Sequence, residues 1–205
     1  MAGCDDYTMI CSLNPFYIEK QVILLPQIEG VWHANPKLSL DPSIWKTADT
    51  TFNWTVTRKL DGNKNPENEY LVKMYRNKPD SISFSYSVKI FMADNQLYAD
   101  FSNASNIASD NSRLTFENHY PVHTLAKIIN RDKQIILSWL NDETMVSMIE
   151  EKRVRASFRW ILSANRVLLT GSSAQLFEMV EKYCNETRFV DWEKQEAMLT
   201  LTRVN

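Results

Sequence analysis

The chain has 205 residues and a formal net charge of −2, is 44% hydrophobic and 11% aromatic, and holds only four glycines. That length fits one domain with a sizeable core, and so apolar and aromatic a composition excludes a disordered chain. Scattered Lys and Arg leave no footprint for a nucleic-acid backbone, four dispersed glycines exclude a glycine-rich phosphate loop, and no apolar run of about 18 residues is present to span a membrane as a helix.

Met1-Ala2-Gly3-Cys4 comes first in chain order. Bacterial lipoprotein signals end in small residues before the Cys that takes the lipid, so Cys4 is the candidate attachment residue and the chain reads as a mature form whose leader has been removed. The alternative is an ordinary N-terminus that contains Ala-Gly-Cys. Asp5, Asp6, Asn14, Pro15 and Pro26 surround the short apolar run Val22-Ile23-Leu24-Leu25. Residues 1–26 therefore read as lipid-attachment site and tether, and 27–205 as a single domain.

Beyond the tether the pattern is mostly period two. In Thr51 to Thr57, Phe52, Trp54 and Val56 share one face and Thr or Asn the other, which predicts a half-buried strand. Ser83 to Ile90 repeats the device with Phe84, Tyr86, Val88 and Ile90, and Asp94-Asn95 turns the chain into a partner strand over 96–101. Further strands are predicted at 28–33, 69–75, 123–130, 133–139, 157–162, 166–170 and 196–204. Clusters of Pro, Asn, Asp and Gly predict loops at 35–49 and 61–68. Asn141 to Arg153 starts acidic, ends basic and spaces Met145, Met148 and Ile149 as a helix does. Ser172 with Gln175 makes a capping box ahead of Leu176, Phe177, Val180 and Tyr183, a second helix. The fold class is mainly β: an antiparallel barrel or strongly curved sheet with two helices in the C-terminal half.

Candidate chemistry is sparse. His119 and His123 have the spacing of a zinc-binding pair, but Pro121 opposes a helix there, and on a strand the two lie about 13 Å apart at 3.3 Å per residue. No metal site is expected. Thr170-Gly171-Ser172-Ser173 lacks the second glycine of a nucleophile elbow and reads as a helix cap. Cys184 lies near the end of an amphipathic helix, where a buried thiol is inert. Neighbouring carboxylates such as Asp142-Glu143 and Glu150-Glu151 do not face each other on a helix. No catalytic set is found, and a protein without enzymatic activity or cofactor is expected.

Gly30-Val31-Trp32 is the most specific local signal: a glycine allows close backbone approach and a Trp can plug the end of a barrel. It resembles the lipocalin-type opening, in which an Arg near the final strand packs on that Trp, and the resemblance makes Arg203 the partner of Trp32. A longer order of motifs covers most of the chain: Cys11-Ser12-Leu13-Asn14-Pro15-Phe16-Tyr17, then Gly30-Val31-Trp32, Pro121-Val122-His123-Thr124, Trp139-Leu140 before a helix, and Leu168-Leu169-Thr170 before the capped one. It is similar to a family of small bacterial envelope lipoproteins without assigned function. In that family the lipidated Cys stands directly before the Ser, which here is Cys11. Ile10 is a poor residue before such a cleavage site, so Cys4 is preferred and Cys11 is left as a free or disulfide-forming thiol.

The resemblance implies a lipocalin-like barrel anchored to an envelope membrane by an N-terminal lipid and facing the periplasm. Its expected role is to bind a small apolar or amphipathic ligand against Phe52, Trp54, Val56, Phe84, Tyr86, Val88 and Ile90. The alternative is a protein-interaction role of inhibitor or immunity type, with the barrel packed shut.

Overall fold

The computed structural model of the protein describes residues 9–37, 52–75, 82–103, 122–131, 133–155, 157–161, 166–186, 189–195 and 198–204. The strands are β1 (Cys11–Ser12), β2 (Val22–Ile23), β3 (Gly30–Lys37), β4 (Phe52–Leu60), β5 (Pro66–Tyr75), β6 (Ile82–Ala93), β7 (Gln96–Asn103), β8 (His123–Arg131), β9 (Gln134–Trp139), β10 (Phe158–Ile161), β11 (Arg166–Leu169) and β12 (Met198–Arg203). The helices are α1 (Asp142–Glu150) and α2 (Ser173–Tyr183).

β3 to β9 pair in sequence order, and β12 pairs with both β9 and β3 to close an eight-stranded antiparallel ring. The protein is thus a lipocalin-like barrel with both helices in its C-terminal half. Period-two patterning explains the ring. On β4, Phe52, Trp54 and Val56 turn inward, and on β5 Tyr70, Val72 and Met74 meet them. Asp94 and Asn95 both take positive φ in the two-residue turn between β6 and β7, the geometry that matches strand twist.

A second sheet branches off. The pairing of β9 with β8 ends at Trp139 opposite Ala126, and β1 takes over beside Thr124 and His123. β11 lies parallel to β1, and β10 forms the edge. β6, β7 and β8 also carry apolar residues on part of their outer face, because that part is covered. Phe91, Tyr98 and Leu125 pack there with Ile10, Phe16, Met145, Phe177 and Val180 in a second core. Asn141 caps α1 by accepting from the Thr144 N–H at 2.7 Å, and the capping box of Ser172 and Gln175 starts α2.

Three expectations need correction. β3 runs to Lys37, into the stretch read as a loop from 35, and the rest of that loop, 38–49, lies outside the described residues. β5 begins at Pro66, inside the loop read at 61–68, because the first position of a strand tolerates a residue without N–H and a register shift after Arg58 brings Leu60 opposite Pro66. The tether is the larger change. From Met9 onward it is part of the domain: Ile10 and Phe16 are fully buried, the Ile10 N–H donates to Leu140 O at 2.9 Å, and Leu24 and Leu25 pack on the barrel interior. Apolar residues spaced singly among Asn and Pro look like linker in one dimension, but each fills a separate position on the outer face or the base.

The C-terminal ends of β3, β5, β7 and β9 mark one end of the barrel, here the rim. Turns at 61–65 and 94–95 lie at the other end, the base.

Candidate functional site: the barrel interior and its base

The base is closed by the segment that enters β3. Trp32 is buried, its indole N–H donates to Ile28 O at 2.8 Å, and the Arg203 guanidinium lies over its ring with Cζ 5.5 Å from the centroid. Arg203 also donates from Nη2 to Glu29 O at 2.9 Å. Gly30 has φ 138°, and a Cβ built there would stand 3.2 Å from Arg203 Nη2, so both backbone conformation and the approach of the guanidinium require glycine. Tyr70, fully buried, completes the plug: its hydroxyl oxygen accepts from the Leu25 N–H at 2.7 Å. Burial raises the Tyr70 phenol above its ordinary pKa.

Above this floor the described side chains pack closely. Phe52, Trp54, Val56, Val88 and Ile90 all belong to the inner core, with Tyr86 packed against it half-buried. Phe84 pairs with Met74 through the backbone, and its side chain lies outside the described residues. Trp54, Val56, Val88 and Ile90 line a cavity of about 40 Å³ whose wall is wholly apolar. Sequence reasoning missed much of that wall: Tyr70, Phe101, Ile135, Leu137 and Leu201 contribute to it. Tyr70-Leu71-Val72-Lys73-Met74 carries the same alternation as β4 and could have located its share. Among the described residues, the buried Trp54 indole N–H finds no acceptor.

The outer face holds a polar cluster. Asp100, 2% exposed, accepts from the Phe16 N–H at 2.8 Å through one oxygen and faces His123 Nδ1 at 2.6 Å through the other. Ser12 is the cross-strand partner of His123. Ser, His and Asp thus meet, but Ser12 is fully buried and its hydroxyl donates to Leu169 O and accepts from the Asn14 N–H at 3.2 Å. That hydroxyl serves backbone groups. His119 and Cys4 lie outside the described residues. Burial pushes the Cys184 thiol up to about 12, which keeps it protonated. Among the described residues no group of three or more side chains could hold a metal ion, and no helix is long and apolar enough to cross a membrane.

The fold and its plugged base define the class, a lipocalin-like barrel. In comparisons with protein-family models, curated proteins and solved structures, none matches this chain.

Proposed function

We propose that the protein is a non-enzymatic, lipid-anchored envelope protein that works by binding a partner through its surface, with the barrel as a rigid scaffold. One observation carries the choice: the cavity among the described interior residues holds about 40 Å³, whereas small-molecule pockets enclose roughly 300–1,000 Å³. Lipid attachment at Cys4 is supported by Ala2-Gly3-Cys4 and by the burial of Ile10, since cleavage before Cys11 would remove a fully buried residue and its bond to Leu140. The Cys4→Ser variant, produced behind a lipoprotein leader, should leave the membrane fraction, and release by Cys11→Ser instead would reverse the assignment.

A second reading keeps a specific observation. The cavity lined by Trp54, Val56, Val88 and Ile90 is wholly apolar, the kind of space that takes a very small apolar ligand. Native mass spectrometry of protein purified from a bacterial envelope separates the two. A bare mass supports surface recognition. A retained adduct supports the ligand.

A further inference from the structure

We propose that the edge strand β10 is a membrane-surface contact beside the lipid anchor, where Trp160, Arg155 and Arg159 meet anionic phosphate headgroups. This rests on the lipid at Cys4 proposed above. Three observations carry it.

The first is register. Arg159 pairs with Leu168, and Leu168 with Cys11, so Arg159 stands level with Cys11, seven residues after the proposed anchor. Two strand spacings of about 4.8 Å separate them by about 10 Å. The second is reach. Met9 is bridged to Asn141 at the rim, and the five residues from Cys4 to Met9 extend at most about 18 Å. A lipid on Cys4 therefore brings the bilayer close to the branched sheet.

The third is chemistry. Trp160 is 41% exposed, held edge-on to Phe158 with ring centroids 6.0 Å apart. Amphipathic indoles favour the headgroup level of a bilayer, and guanidinium groups match phosphate in bidentate geometry. Lys152, Arg153, Arg155 and Arg159 are exposed on the same stretch of chain, Arg159 on the opposite face of the edge strand from Trp160. Glu150 and Glu151 are the acidic neighbours on this stretch, and Glu151 is paired with Arg153. Arg155 and Arg159 have no carboxylate partner among the described residues. A single acyl chain holds a protein only marginally, and a basic patch is a common second signal. β10 is also the end of its sheet, so no described strand covers it.

The test uses the lipidated full chain in vesicles of phosphatidylglycerol and phosphatidylethanolamine brominated along the acyl chains. Part of the tryptophan quenching should vanish in Trp160→Phe, an exposed and conservative change. In the unlipidated Cys4→Ser chain, residual sedimentation with phosphatidylglycerol vesicles should fall by fivefold or more for each of Arg155→Glu and Arg159→Glu, since losing one basic charge near the surface is worth about 1 kcal/mol. Quenching unchanged by Trp160→Phe, or sedimentation indifferent to both charge reversals, overturns the contact and leaves the anchor standing. Sedimentation of the lipoprotein that Cys4→Ser does not reduce overturns the anchor, and this contact with it. Binding of an acidic protein that needs the two arginines, with no vesicle effect, assigns the strand to a protein partner and also overturns the proposal.

Discussion

Trp32 and Arg203 stand on neighbouring strands in direct register, and each depends on the other: the ring supports the guanidinium, and the guanidinium ties down the carbonyl of Glu29. Trp32→Ala should cost about 3–5 kcal/mol, the range for truncating a buried large aromatic. Arg203→Ala should cost less, and the double variant should fall short of the sum. Urea denaturation of the four proteins checks this, and strict additivity would show that the stacking contributes nothing. This pair was legible because a glycine, a tryptophan and a late arginine form a motif that survives in one dimension. Asp100 was not, because nothing in Tyr98-Ala99-Asp100-Phe101 shows that the outward carboxylate of that strand would be covered by Phe16, 84 positions away.

At the level of elements, Asp100 ties the segment 9–21 to the outer face by accepting from the Phe16 N–H through one oxygen, while its other oxygen faces His123 on β8. Asp100→Ala leaves the Phe16 N–H and His123 without their acceptor and should cost about 1–3 kcal/mol. Hydrogen exchange should accelerate across residues 9–21 well before the barrel strands, and uniform acceleration would contradict local release. For α2, Ser172→Ala removes the cap on the Gln175 N–H and should cost about 1 kcal/mol by thermal unfolding. Both helices were readable because caps and period lie within a dozen residues. β1 was not: two residues have no period, and Cys11-Ser12 becomes a strand only because β9 turns away from β8 and vacates the position. The interior was partly legible, since alternation identifies inward faces but not whether eight of them leave room.

For the whole molecule, the response to acid is set on the outer flank of the barrel and not in its inner core. The inner core carries no charge. The flank of β4, β5 and β6 does: burial raises the Glu69 carboxyl, but the Lys59 ammonium at 2.7 Å and the Ser87 hydroxyl outweigh it and hold the net pKa below the usual range. A carboxylate with a lowered folded pKa contributes stability that is complete above its unfolded value of about 4.3 and is lost as pH falls through the folded one. Stability should decline on acidification through that window, and Glu69→Gln should flatten the decline in urea titrations run at several pH values.

The placing of β12 between β3 and β9 has a consequence for biogenesis. A chain emerging N-terminus first has seven ring strands long before residues 198–203 are made, because α1, β10, β11 and α2 intervene. Until then β3 and β9 present unpaired edges, the sites at which nascent sheets pair with neighbouring chains. A ribosome stalled within α2 would hold an open, adhesive sheet, so the chain's most hazardous interval is the synthesis of the insert, and a holdase that recognises extended edges would act there.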